Sequence, residues 1–291
     1  MFGKILFATD FSAYARSVLD CIAGFPGARD VIIVHIINEV RSPRGGGEIG
    51  GELYRSSENN LLREEKRHLE SLSQSLRVTT VVKTSADTAG AIIDTAKETG
   101  VSLIVIGARG KSLVEGVLLG SVSRAVLRRS RTNVLIMRHM ITRDMKGEAY
   151  HKFCPGILSR VLCPTDFSEY SGKAITLASR MPGIRDLILL HIVSQGETED
   201  EIRDAVRKAE TRLGEMRDGL AAQGINIRVI VKTGSPAHEI TRIADEEDVS
   251  VIWMNSYGKG WFRDLLLGST ASTVAMNAKQ PVLIIRTMEG R

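Results

Sequence analysis

The chain of 291 residues has few of the residues that mark several common protein classes. Its 3 cysteines are odd in number and lack CxxC spacing, and Cys163 is expected to be a core residue rather than a metal ligand or half of a disulfide. Aromatic residues make up only 5% of the chain, and no apolar run approaches the ~20 residues of a membrane span. We read the N-terminus as the start of a strand rather than of a signal peptide. These absences predict a protein of a reducing, cytoplasmic compartment with no membrane partner.

The basic residues are scattered along the chain. The formal net charge is +5, and the densest basic group consists of Arg124, Arg128, Arg129 and Arg131 on a predicted helix. Nucleic-acid binding is typical of a broader basic stripe or of stacking aromatic residues. A solvated helix face is therefore the favoured interpretation, and nucleic acid is not an expected partner.

The chain does contain an internal repeat. Residues 4–12 recur in altered form as residues 160–168, and residues 32–36 recur as residues 188–192. A duplicated chain has two equivalent sites unless one of them has changed. Comparing the copies therefore shows which residue types each site still supplies.

The repeat predicts two domains, residues 1–140 and 158–291, joined by a linker at 141–157 with one short helical turn. Each half alternates β-branched runs with amphipathic stretches, which predicts an α/β fold: two doubly wound domains of five parallel strands each. A glycine-rich stretch at residues 41–51 is expected to be a mobile loop. The strand candidates are residues 5–9, 31–37, 78–83, 103–107 and 134–138, then 161–165, 187–193, 227–232, 251–255 and 282–286.

A glycine pattern follows the fourth strand candidate of the first half. Gly107, Gly110, Gly120 and Ser121 have the spacing G-x2-G-x9-G-S. Glycines after a strand let the backbone approach a ligand without a Cβ atom in the way. Gly120 and Ser121 open a predicted helix, whose unpaired N–H groups and positive dipole end favour anions. Ser121 and Ser123 add hydroxyl donors, so the joint pattern predicts a phosphate cradle, although each glycine alone is equally typical of a turn.

Two better-known phosphate motifs are absent. Gly110-Lys111-Ser112 looks like the end of a P-loop, but the required earlier glycine would fall on Val105. No GxGxxG follows the first strand candidate, so a nicotinamide dinucleotide site has no fingerprint.

Asp10 and Asp166 end the first strand of each half. A carboxylate there can accept a hydrogen bond from a ribose hydroxyl or an adenine amine, or it can start a turn and cap the next helix. The two uses are compatible. His35 and His191 lie inside apolar strands, where a hydrogen-bonded core histidine is favoured over a catalytic one.

With these motifs the chain resembles the universal stress protein family, as two such domains in tandem. The glycine pattern matches the family's nucleotide signature, and Pro164, Thr165 and Asp166 match its Pro-Thr-Asp strand end. The resemblance implies an adenine nucleotide, ATP or AMP, with Mg²⁺ accompanying ATP. The first-half residues implied to bind it are Ala8, Thr9, Asp10, Ile36, Gly107, Arg109, Gly110, Gly120, Ser121, Val122 and Ser123.

The second half departs from the signature. Asn255 stands where the first half has Gly107, and Tyr257 replaces Arg109, which removes a positive charge near phosphate. We therefore expect the first site to bind more tightly and the second to be weak, altered in preference or empty. The corresponding second-half residues are Pro164, Thr165, Asp166, Ile192, Asn255, Gly258, Gly268, Ser269, Thr270 and Ala271.

Three functions remain open from the sequence. The favoured one is a nucleotide-binding regulatory stress-response protein, because the expected pocket shows no nucleophile–base pair and no metal cluster. The alternatives are a slow ATPase or phosphotransferase, with Asp10 as metal ligand or base, and a dimerising scaffold that needs no nucleotide. The resemblance also implies that the two halves pack as a pseudo-dimer, which could assemble further into a homodimer.

Overall fold

The computed structural model of this chain describes residues 2–39, 47–108, 119–138, 141–143, 149–151, 156–194, 196, 198–220, 224–258 and 267–286. Side chains are described in all of these ranges except 47–54, 141–143 and 149–151. The chain divides into two compact units, Met1–Pro155 (unit 1) and Gly156–Arg291 (unit 2). Arg109 and Gly110, two of the predicted site residues, lie outside the described residues.

Unit 1 contains a parallel sheet whose strands are near-continuous apolar runs. Most of β1 and β2 is buried, as strands covered by helices on both faces must be. The strands lie in the order β5-β4-β1-β2-β3. They are β1 (Lys4–Thr9), β2 (Asp30–Asn38), β3 (Arg77–Ser85), β4 (Leu103–Gly107) and β5 (Asn133–Met137). The helices are α1 (Ala13–Ala23), α2 (Gly47–Leu72), α3 (Thr88–Thr99) and α4 (Ser121–Arg129).

Two short strands, β6 (Ile141–Arg143) and β7 (Ala149–His151), pair antiparallel in the segment predicted to be a linker. The helical turn expected there is wrong for these residues, whose β-branched and aromatic side chains favour strands. The loop expected at 41–51 is also partly wrong, since α2 begins at Gly47. Helical glycine costs only about 1 kcal/mol per residue, which the long helix that follows can offset. Residues 41–46 lie outside the described residues.

Unit 2 repeats the architecture of unit 1. Its parallel strands lie in the order β10-β9-β8-β11-β12. They are β8 (Arg160–Pro164), β9 (Asp186–Val193), β10 (Asn226–Thr233), β11 (Val251–Asn255) and β12 (Val282–Ile285). The helices are α5 (Glu169–Ser179), α6 (Glu199–Leu220), α7 (Pro236–Glu246) and α8 (Ser269–Asn277). Both units thus have the predicted doubly wound α/β fold.

In each unit, the first strand lies at the point where the strand order reverses. β1 lies between β2 and β4, and β8 lies between β9 and β11. Open α/β sheets form a crevice at the carboxyl ends of the strands at such a point, and this crevice is where such folds bind ligands. Within the described part of the chain, no helix combines the length and apolar character needed to span a bilayer.

Candidate functional site

The chain makes the same turn after the first strand of each unit. Thr9 Oγ1 accepts a hydrogen bond from the Phe11 N–H at 3.0 Å, and Thr165 Oγ1 accepts one from the Phe167 N–H at 2.9 Å. Asp10 Oδ1 and Asp166 Oδ1 each accept from the backbone N–H two residues later, at 3.1 and 3.0 Å. Both aspartates therefore shape the turn and stand at the carboxyl end of their strand.

A histidine supports each turn from the neighbouring strand. His35 Nδ1 lies 2.9 Å from the Thr9 carbonyl oxygen, and His191 Nδ1 lies 2.7 Å from that of Thr165. Because a carbonyl oxygen only accepts, Nδ1 carries the proton in both rings. Phe11 and Phe167 pack against these rings and have φ values of 59° and 61°, which are strained for a bulky residue. The hydrogen-bonded histidine predicted from the sequence is present in both units.

Unit 2 has a cavity of about 850 Å³ at the carboxyl ends of its strands, within the size range of small-molecule sites. It lies where the strand order of this unit reverses, and it brings together residues from β8, β9, β11 and α8. All ten second-half residues selected from the sequence line it, namely Pro164, Thr165, Asp166, Ile192, Asn255, Gly258, Gly268, Ser269, Thr270 and Ala271.

Two glycines shape one wall of this cavity. Gly268 is the N-cap of α8, and it offers no side-chain hydrogen bond to the first turn of the helix. The N–H groups at the start of that helix therefore remain available for an anion. A Cβ atom on Gly258 would collide with the Asp166 carboxylate. Glycine at 258 thus lets that carboxylate lie directly against the loop.

Asn255 does not project freely into the cavity. Its side chain is buried, and its amide donates a hydrogen bond to the Tyr257 carbonyl oxygen at 3.1 Å. In unit 1 the equivalent Gly107 has no side chain, and its carbonyl oxygen accepts from the Ser123 hydroxyl at 2.7 Å. We expected the Ser123 hydroxyl to donate to a ligand, but it stabilises the loop by donating to Gly107. In unit 2 the Asn255 amide stabilises the loop by donating to the Tyr257 carbonyl oxygen.

Sequence reasoning missed one wall of the cavity, the face of α6. Ala205, Lys208, Ala209 and Arg212 line it. The Arg212 guanidinium lies 4.5 Å from the centre of the Phe167 ring and donates to the Phe167 carbonyl oxygen at 3.3 Å. A signal was present, because Ala205 and Ala209 are small residues on the apolar stripe of this helix, where larger residues would fill the space.

In unit 1 the described site residues occupy the equivalent positions. Gly120 caps α4 with φ −65° and ψ 160°, close to the −69° and 158° of Gly268. Thr9 and Asp10 stand at the carboxyl end of β1 just as Thr165 and Asp166 stand at that of β8. The described residues are Ala8 and Thr9 in β1, Asp10 after it, Ile36 in β2, Gly107 in β4, Gly120 before α4, and Ser121, Val122 and Ser123 in α4.

Two carboxyl groups from α2 cover this strand end in unit 1. Thr9 Oγ1 donates to Glu65 Oε1 at 2.9 Å, and Glu58 Oε2 lies 3.4 Å from His35 Nε2. Both glutamates are buried, with 4% and 7% of Glu65 and Glu58 exposed. Their Oε2 atoms have no hydrogen-bond partner among the described residues. Such buried carboxyl groups are unusual and were not predicted.

The environment of Glu65 changes its protonation. Burial raises the pKa of this carboxyl group from 4.5 to about 7. The hydrogen bond from Thr9 and the charge of Arg16 act against the rise, whereas the charge of Asp10 adds to it. Glu65 is therefore partly protonated near neutral pH.

Comparison with known proteins identifies the family. The model of the universal stress protein family matches residues 1–138 and again residues 158–286. The chain belongs to this family. The tandem arrangement expected from the repeat is confirmed, since each half matches the family separately.

Two relatives illustrate the similarity of this universal stress protein to others. It is 26% identical to universal stress protein MJ0577 of Methanocaldococcus jannaschii over 152 residues, covering 44% of this chain and 94% of that protein. It is 28% identical to universal stress protein Rv2623 of Mycobacterium tuberculosis over 192 residues, covering 63% of this chain and 61% of that protein.

A solved structure supports the fold. The crystal structure of a universal stress protein from Archaeoglobus fulgidus is similar with a TM-score of 0.69 at 23% identity. The match covers 97% of this chain and 95% of that one. At this level of identity the similarity shows a shared fold.

Proposed function

We propose that this universal stress protein binds an adenine nucleotide in the cavity of unit 2 and acts as a regulatory stress-response protein. The observation that carries the proposal is the cavity itself, where a helix N-terminus and a strand-end carboxylate border the same space. These are the two groups that a nucleotide needs, a phosphate cradle and a ribose acceptor.

The lining of the cavity fits each part of such a ligand. The N–H groups and hydroxyls of Ser269 and Thr270 would bind phosphate, and the Asp166 carboxylate would accept from a ribose hydroxyl. Ile192 and Ile240 supply apolar surface for a purine ring. Among the described residues, no group of three or more His, Cys, Asp or Glu side chains is placed to hold a metal ion. With ATP as ligand, we propose that Mg²⁺ is held chiefly by the phosphates.

Calorimetric titration of the full chain with ATP, ADP and AMP tests the proposal and ranks the ligands. Gly268→Val would place a side chain where the Ser256 carbonyl oxygen already lies 3.3 Å from a Cβ position. We expect it to weaken binding at least about tenfold, or ~1.4 kcal/mol. Gly214→Val is the matched control, because a Cβ there meets nothing within 4 Å. Equal affinities of the two variants would contradict the proposed cradle.

Three expectations from the sequence remain proposals. They are the domain limits 1–140 and 158–291 with a linker at 141–157, the cytoplasmic location, and the pairing of the two halves as a pseudo-dimer with further homodimerisation. The pairing rests on the family resemblance and on the apolar final strand of each half. Size-exclusion chromatography of the separately expressed halves tests it. Two monomeric halves without affinity for each other would count against it.

A further inference from the structure

The two units share the frame of the site but differ in the helix that faces it. The strand-end turn, the supporting histidine and the glycine cap recur with the same geometry. The helices that follow the second strands, α2 and α6, carry different residues towards this frame. The difference between the sites therefore lies in these two helices.

Buried leucines set the two helices in register. Leu69 in α2 and Leu213 in α6 are both 0% exposed, and each anchors its helix to its own unit. With these two residues aligned, Glu65 corresponds to Ala209, since each lies one helical turn earlier and is also buried. One position thus carries a carboxyl group in unit 1 and a methyl group in unit 2.

In unit 1, two carboxyl groups of α2 contact strand-end residues whose equivalents border the cavity of unit 2. The Glu65 carboxyl group reaches the Thr9 hydroxyl at 2.9 Å, whereas the equivalent Thr165 borders the cavity of unit 2. Glu58 similarly covers His35, whereas His191 lines that cavity. The side chains of α2 thus cover, in unit 1, the residues whose equivalents in unit 2 are open to the cavity.

The charges on α2 and α6 differ as well as the volumes of their side chains, and both differences favour a ligand in unit 2 over unit 1. Asp10 stands beside Glu65, and a phosphate-bearing ligand would meet both carboxyl groups at the strand end. Like charges in a poorly solvated site repel strongly. In unit 2 the corresponding helix instead presents Lys208 and Arg212 to the cavity. The basic residues therefore favour an anionic ligand in unit 2, whereas Asp10 and the ionised fraction of Glu65 oppose one in unit 1.

From this comparison we infer that Glu65, supported by Glu58, closes the first site, so that the chain binds one nucleotide, in unit 2. This inference rests on the proposed function and names the residue that decides which half carries it. It reverses the ranking expected from Gly107 and Asn255, because the loop glycine matters less than the helix opposite. A small residue at position 209 is then a requirement for binding.

Reciprocal variants of the full chain test the inference by calorimetry with ATP and AMP. Ala209→Glu should weaken binding by about 100-fold or more, whereas Thr211→Glu, exposed on the same helix, should change it less than about threefold. The double variant Glu58→Ala/Glu65→Ala should raise the stoichiometry from one to two. Its control is Glu64→Ala, an exposed neighbour on α2. Thermal melts of each variant confirm folding.

The outcomes separate the inference from the proposed function. One nucleotide per wild-type chain, lost in Ala209→Glu and increased in the α2 double variant, supports it. Two nucleotides per wild-type chain, or a folded double variant that still binds one, would overturn it and leave the proposed function standing. A wild-type chain that binds neither ATP nor AMP would contradict the proposed function itself, and the inference with it.

Discussion

At the scale of single residues, Glu65 has the most unusual environment described at either strand end. A buried carboxyl group loses its hydration and is tolerated when it is neutral or hydrogen-bonded. Glu65 has one bond, from Thr9, and its second oxygen has no hydrogen-bond partner among the described residues. The folded protein therefore keeps the Glu65 proton up to a higher pH than the unfolded chain does.

This proton makes stability depend on pH. The raised pKa of Glu65, about 7, means that the folded state holds more protons than the unfolded state between about pH 4.5 and pH 7. The contribution of this proton to the stability of the folded state is complete below pH 4.5 and is lost as the pH rises through 7. The other charged or titratable groups that face this region are Arg16, Asp10, His35 and Glu58. A substitution of Glu65 alone leaves all four in place.

We expect Glu65→Gln to remove this dependence. Glutamine resembles the neutral acid, so the variant should gain stability above pH 7, by at most about 3 kcal/mol, since one pKa unit corresponds to ~1.4 kcal/mol. Urea unfolding of wild type and variant between pH 5 and 8 measures it, with Glu64→Gln as the control. Parallel pH profiles for wild type and Glu65→Gln would show that Glu65 is not the titrating group.

A second residue prediction concerns Gly258. Its Cβ position is occupied by the Asp166 carboxylate, so Gly258→Ala must displace that side chain. We expect nucleotide affinity to fall about tenfold, ~1.4 kcal/mol, because the proposed ribose acceptor moves. Gly172→Ala in α5, where a Cβ meets nothing within 4 Å, should leave affinity unchanged. Calorimetry of both variants makes the comparison, and an unaltered Gly258→Ala affinity would remove Asp166 from the site.

At the scale of elements, the helix caps are the most predictable features. Ser12 and Ser168 each precede an apolar periodic stretch, a pattern that predicts an N-cap, and their hydroxyls accept from the N–H groups of Ala15 and Ser171 at 3.1 and 3.2 Å. Serine directly after a strand and before an apolar periodic stretch is a local signal that needs no knowledge of the fold. Helix α1 therefore begins where the sequence places it.

We expect Ser12→Ala to cost about 1 kcal/mol of unfolding free energy, because the Ala15 N–H loses its acceptor. Ser17→Ala in the exposed part of the same helix should change stability by less than about 0.5 kcal/mol. Urea denaturation of both variants checks the difference. Equal losses would mean that the cap contributes nothing beyond an ordinary surface hydroxyl.

The strands were also predictable from the sequence, whereas the helix side chains that cover the strand end were not. Central strands such as β1 and β2 are recognisable as apolar runs whatever packs on them. Glu58 and Glu65 were missed because pattern reading assigns charged residues to the solvent face, even though they alternate with the buried Leu62 and Leu69. Whether such a glutamate points outward or covers a strand end is decided by tertiary contacts.

The same limit explains the hairpin of β6 and β7. Three-residue strands carry too little periodicity to be separated from a turn, and their pairing depends on residues outside each strand. The facing helices α2 and α6 carry no motif that marks them as part of the site. Gly107 and Asn255 differ in the loops, but Glu65 and Ala209 on these helices differ in both charge and volume.

At the scale of the whole molecule, the two units share the strand-end turn, the supporting histidine and the glycine cap. They differ in the helix that faces these features. Unit 2 keeps an open cavity lined by basic and small residues of α6, and unit 1 has buried carboxyl groups at the equivalent place. On the proposed function, this chain would bind nucleotide in unit 2 only.

The most direct test is native mass spectrometry of the full chain with ATP and AMP, comparing Gly268→Val with Gly120→Val. The account predicts one nucleotide per wild-type chain, retained in Gly120→Val and lost in Gly268→Val, because the cradle of unit 2 holds it. Loss of the nucleotide in Gly120→Val with retention in Gly268→Val, or a wild-type chain that carries none, would contradict it.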